Sequence, residues 1–201
     1  MGGTESLPLF PAFPGAVSLV ANESIDMLDI YCDGGVIQSN PSPHGGTWAF
    51  CWVDGDQLLQ QASGLLLPTE MGLKKITNNF TELYAAFRGI TSVPKNWSGI
   101  LWTDSKVTMH RLTNGQSFAN IPQWLRLEAL HVRRQPRRFQ VKLVGGHPTR
   151  KELLAGCRAD GTPVSVWNQW CDQECQRLAK EFLHATSVSG ISARQRRQGN
   201  A

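Results

Sequence analysis

Four carboxylates stand where strands end or helices run, and oxygen ligands of that kind suit work on a phosphate ester. Asp33 closes the apolar run Leu28-Asp29-Ile30-Tyr31-Cys32, which reads as a buried strand, and Gly34-Gly35 lets the chain turn directly after it. Glu82 falls in the first turns of a segment with helical spacing, Asp104 ends the short run Gly99-Ile100-Leu101-Trp102-Thr103, and Asp172 lies in an amphipathic stretch over residues 166–184. Taken singly, Asp33 is an ordinary turn residue and Asp104 an ordinary helix N-cap. Gathered in one place, they repel: like charges about 4 Å apart cost roughly 4 kcal/mol at an effective dielectric near 20. A hard cation relieves that repulsion, Mg²⁺ first and Mn²⁺ as its substitute. Two such ions roughly 3.5–4 Å apart would activate a water on one side of a phosphodiester and stabilise the leaving oxygen on the other.

The elements must bring these groups together. After the strand reaching Asp33, the turn formers Asn40-Pro41-Ser42-Pro43-His44-Gly45-Gly46 lead into the aromatic strand 47–53, and Asp54-Gly55-Asp56 closes a hairpin with a strand over about 57–65. From Thr77 the spacing is helical, with Asn78 and Asn79 placed to cap and Leu83, Ala86, Phe87 and Ile90 on one apolar face. A strand over 99–104, a helix over 105–112, a polar loop, a helix over 122–132, a strand over 139–144, a turn-rich segment over 149–164 and the helix over 166–184 complete the order. The fold class is α/β: a mixed five-stranded sheet, a three-strand antiparallel meander plus two parallel strands, flanked by helices. If the strands before Asp33 and Asp104 are parallel neighbours, both carboxylates emerge at one end of the sheet, within reach of Glu82 and of Asp172 on a helix packed across it.

With 201 residues the chain suits one domain with a substantial core. Residues 26–184 form that domain, 1–25 an extended proline-rich leader and 185–201 a basic tail without structure. The net charge of +4 is modest, but Arg133, Arg134, Arg137 and Arg138 cluster, as phosphate-contacting residues do; a solvated face is the plainer explanation. Five cysteines inside apolar patterns indicate reduced core thiols and a cytoplasmic location rather than zinc ligands. No run is long enough to span a membrane, and the leader lacks a basic n-region. No protein partner is indicated, and a monomer is expected.

In order and spacing these residues resemble the type 1 ribonucleases H, over roughly residues 28–182. Ile30-Tyr31-Cys32-Asp33-Gly34, Asn40-Pro41-x-Pro43 with Gly45-Gly46, Thr77-Asn78-Asn79-x-x-Glu82-Leu83-x-Ala85-Ala86, Trp102-Thr103-Asp104-Ser105 and Asn168-x-x-Cys171-Asp172 carry the resemblance. It implies a two-metal endonuclease that cuts the RNA strand of an RNA–DNA hybrid, with Asp33, Glu82, Asp104 and Asp172 as ligands. It also implies that His147, after the last strand, assists proton transfer or product departure. Asn79 and Asn40 fall where the family meets ribose 2′-hydroxyls, and Gly34 and Ser105 are placed beside them on the substrate side. Two other readings share the fold: a nuclease acting on branched or transposon DNA, and a non-catalytic hybrid-binding module. The chain departs from the family in a loop one residue longer before Asn40, in having no added basic helix between Asp104 and Trp124, and in a much longer segment from His147 to Asn168. An inserted lid or strand flap is expected there.

Overall fold

The computed structural model describes residues 26–94, 97–113, 118–134 and 138–198. The leader, Arg137 and residues 199–201 lie outside these, as do the side chains of Arg134 and Arg138. The strands are β1 (Asp26–Val36), β2 (Gly46–Asp54), β3 (Gln57–Leu66), β4 (Ser98–Thr103) and β5 (Arg138–Leu143). The helices are α1 (Asn78–Ser92), α2 (Lys106–Thr113), α3 (Gln123–Arg134), α4 (Arg150–Ala155) and α5 (Val166–Gln198).

The five strands form one sheet in the order β3-β2-β1-β4-β5. β1–β2 and β2–β3 are antiparallel, whereas β1–β4 and β4–β5 are parallel. The mixed sheet expected from the order of elements is therefore present. Alternation along β1 decides its two faces. Leu28, Ile30 and Cys32 are buried in the larger core, with Leu83, Ala86 and Ile90 of α1, Leu112 of α2 and Leu125 of α3. Ala49, Cys51 and Val53 of β2 form a smaller core on the opposite face with Cys171 and Cys175 of α5. The cysteines are free, and four of the five are buried.

Three local expectations are corrected. Asn78 and Asn79 do not cap α1: its N-cap is Thr77, whose side chain makes no capping bond, and the amide of Asn78 donates instead to Asn40 Oδ1 at 3.2 Å. The cap comes from a distant loop, so local spacing could not reveal it. Second, the segment after His147 is neither all turn nor a simple flap. It opens with α4, built on a capping box in which Thr149 Oγ1 accepts from the Glu152 amide and the Glu152 carboxylate accepts from the Thr149 amide. It then narrows to an antiparallel bridge between Cys157 and Pro163. Third, the chain beyond Ala185 is helical to Gln198 rather than unstructured: α5 runs on, although residues 186–192 are rich in Ser, Thr, Val and Gly, which propagate a helix poorly.

Candidate active site

The parallel register of β1 and β4 builds the site. Tyr31 pairs with Trp102, so two residues further along each chain Asp33, still in β1 and paired with Ala49, stands beside Asp104, the first residue past β4. The strand does not end at Asp33 as expected: β1 runs on through Gly34 and Gly35 to Val36, so no turn follows Asp33, although its Oδ1 accepts from the Gly34 amide at 2.8 Å. The helix cap at Asp104 belongs to its neighbour, since Ser105 Oγ accepts from the Thr108 amide at 3.2 Å. That leaves the Asp104 carboxylate available.

Glu82 enters from α1. A Cβ at Gly34 would collide with the α1 backbone at Thr81 and Glu82, so this glycine allows the helix to sit close enough for Glu82 to reach the two aspartates. Gly34 thus serves helix packing while also lining the cleft. Ligand oxygens of Asp33, Glu82 and Asp104 all lie within 4.8 Å of one another. Asp33 is 7% exposed and Glu82 6%.

This grouping is electrostatically costly. Burial first, and then the charges of Asp104 and Asp172, hold the Asp33 carboxyl well above the usual carboxylate range. Burial and the charges of Asp33 and Asp104 do the same to Glu82, against a 3.3 Å hydrogen bond donated by Asn78 Nδ2 to Glu82 Oε1. Asp104 is raised by burial, opposed chiefly by His147. Glu82 Oε2 is buried without a hydrogen-bond partner. An orphaned buried oxygen in an all-oxygen donor set fits a hard divalent cation, which would supply the missing partner and neutralise the repulsion.

Asp172 lines the same cleft from α5 but stands outside the three-carboxylate group. Its Oδ2 meets His147 Nδ1 at 3.0 Å, and Gln176 Nε2, one helical turn on, donates to both of its oxygens at 2.9 and 3.0 Å. His147 also lines the cleft, with its side chain 74% exposed and its backbone at a positive φ of 48°.

The substrate-side residues divide. Ser105 lines the cleft while capping α2, and Asn40 is exposed and spends its carbonyl on α1. Asn79 is exposed and does not line the cleft; the asparagine that does is Asn78. Arg133 is exposed at the end of α3 and lines a second depression, along β5. Sequence reasoning missed Gly146 and Arg158. A Cβ at Gly146 would collide with Asp104 Oδ2, so its bare Cα lets the last loop close on the site. Arg158 donates to the Gly146 carbonyl. The pair Asp172 and Gln176, four residues apart on a helix, is visible as spacing but not as a support for Asp172.

No protein-family model matches the chain. A ribonuclease H from Nitrosococcus oceani is 26% identical over 148 residues, which span 67% of this chain and 93% of that protein. Solved structures with the same fold include the N-terminal RNase H domain of a Mycobacterium tuberculosis protein, at 18% identity and a TM-score of 0.55, covering 81% of this chain and 99% of that one. The ribonuclease H1 of Halobacterium salinarum gives 16% identity and a TM-score of 0.53, over 77% of this chain and 98% of that one. A third, the LC11 ribonuclease H1 solved in complex with an RNA/DNA hybrid, gives 16% and 0.51, over 78% and 99%. The sheet order and these likenesses agree, and the chain has the fold of the RNase H domains.

Proposed function

We propose that this protein is a divalent-metal-dependent endonuclease that hydrolyses the RNA strand of RNA–DNA hybrids. The observation that carries the reading is the group Asp33, Glu82 and Asp104 beside the parallel pair β1–β4, the first two buried, with an unpartnered Glu82 oxygen and a cleft open beside it. Asp33, Glu82 and Asp104 would hold the cations, with Asp172 completing the set from α5. Two ions of the magnesium class, when bound, activate water and stabilise the leaving oxygen in phosphodiester hydrolysis.

The chain's own residues supply the rest. Asp172 orients the His147 imidazole through Nδ1, which leaves Nε2 facing outward as the nitrogen that can carry a proton to or from the cleft. Asn78 holds one oxygen of Glu82 and directs the other inward. Hybrid recognition draws support from the solved relative that holds an RNA/DNA hybrid. The 2′-hydroxyl is the group by which such a cleft tells RNA from DNA, and Ser105 and Asn78 are among the polar side chains that line it.

Labelled RNA–DNA hybrid, duplex RNA and duplex DNA, each incubated with Mg²⁺, Mn²⁺ or a chelator, test the proposal. Cleavage confined to the RNA strand of the hybrid and abolished by the chelator is expected. Cleavage of duplex DNA instead would transfer the site to another substrate, and binding of hybrid without cleavage would make the protein a binding module.

A further inference from the structure

The segment between His147 and α5 is tied back to the loop from which it departs. It leaves through Pro148, forms α4, reverses at a left-handed Gly156 (φ 73°), and returns to Ser165, whose Oγ accepts from the Trp167 amide at the start of α5. On the way back it makes two bonds to the catalytic loop. The Gly145 amide donates to the Pro163 carbonyl at 2.8 Å, and the Arg158 guanidinium donates to the Gly146 carbonyl. The guanidinium also lies close against the loop, since a Cβ at Gly145 would come within 2.8 Å of Arg158 Nε.

We propose that Arg158 is a positioning residue that clamps the Gly145-Gly146-His147 loop against Asp104, so that the α4 excursion sets the place of both Asp104 and His147. The inference rests on the hydrolytic reading of the site. Gly146 sits between the two: its carbonyl is held by Arg158, and its bare Cα lies against Asp104 Oδ2. The next residue, His147, adopts a positive φ that a non-glycine residue keeps only when its surroundings fix it, and it spends Nδ1 on Asp172. The clamp is itself supported. Arg158 Nε lies 3.8 Å from Glu152 Oε1, and the turn bearing Arg158 is closed by its own amide donating to the Thr162 carbonyl at 2.9 Å. Arg158 does not line the cleft, so it holds the loop rather than the substrate, and its charge also works against the burial that raises the Asp104 carboxyl. Displacement of a reacting group by about 1 Å is enough to cost a large factor in rate.

Arg158→Ala and the milder Arg158→Lys, which keeps a donor but loses the planar fork, provide the test. In metal-free protein, amide NMR signals of Gly146 and His147 should move or broaden in Arg158→Ala while those of β1 and α1 stay in place. In Mg²⁺, kcat on hybrid should fall by about tenfold with KM within about twofold, and Arg158→Lys should fall between wild type and Arg158→Ala in both readouts. Unmoved Gly146 and His147 signals overturn the proposal, as does a variant whose KM rises while kcat holds, which would make Arg158 a substrate contact. If Arg158→Ala does not fold, the Lys variant decides alone. If the wild-type protein cuts no hybrid, the functional reading fails while the loop signals still judge the clamp.

Discussion

Asp33 and Glu82 carry the cost of this site within the folded chain. Both carboxyls are held above their ordinary range mainly by burial, so the folded, metal-free protein binds protons there more readily than the unfolded chain does. Stability of the metal-free protein therefore falls as pH rises from the ordinary carboxylate range through the raised values of these groups. Neutral replacements remove that penalty. Asp33→Asn and Glu82→Gln should each raise the thermal midpoint of metal-free protein at pH 7 by about 2–4 °C, the shift that ~1 kcal/mol gives a chain of this length. The same variants should lose the stabilisation that added Mg²⁺ gives wild type. A lower midpoint in both variants, measured by calorimetry, would mean that the carboxylates stabilise the fold rather than burden it.

The close packing of α1 against β1 decides where Glu82 points. Gly34→Ala pushes a methyl into the α1 backbone, and overpacking of this kind costs about 1–3 kcal/mol; urea unfolding should show that loss. Asn40→Ala removes the bond to the first amide of α1 and should cost about 0.5–2 kcal/mol, the range for removal of a helix cap. An unchanged midpoint in Asn40→Ala would reduce that bond to a surface pairing. These two residues also mark the limit of what the sequence discloses. Strand and helix patterns around Asp33, Glu82 and Asp104 are legible because apolar periodicity reports burial, and parallel pairing follows from connectivity. The acceptor for the first amide of α1 is hidden because it lies 38 residues upstream. The use of Gly34 is hidden for another reason: a glycine after a strand signals close approach without saying by what. The capping box at Thr149 and Glu152 has a legible spacing, but the turn residues around it mask the short helix that it starts.

At the scale of the molecule, α1, α2 and α3 cover one face of the sheet and α5 crosses the other, while the carboxylates gather at one sheet end. No helix among the described residues is long and apolar enough to cross a membrane. Of the basic cluster Arg133, Arg134, Arg137 and Arg138, Arg133 is exposed at the end of α3 and does not line the cleft. If the cluster grips the nucleic-acid backbone, replacing all four by Ala should lessen the slope of log affinity against log salt by up to about 0.9 for each phosphate that is no longer neutralised. An unchanged slope would leave the cluster a solvated face. Arg158 and Gly146 show why the site is only partly legible: neither carries a motif, and their roles arise from a loop folding back over Asp104.

Cleavage of RNA paired to DNA by the Asp33, Glu82 and Asp104 group, loaded with Mg²⁺, is tested most directly on an end-labelled RNA strand in a hybrid. Wild-type protein and Asp104→Asn are compared at matched concentration in Mg²⁺. Cleavage at internal RNA positions by wild type, abolished in Asp104→Asn while hybrid binding persists, is the predicted result. Equal cleavage by both proteins, or an intact RNA strand with wild type in both Mg²⁺ and Mn²⁺, would contradict it.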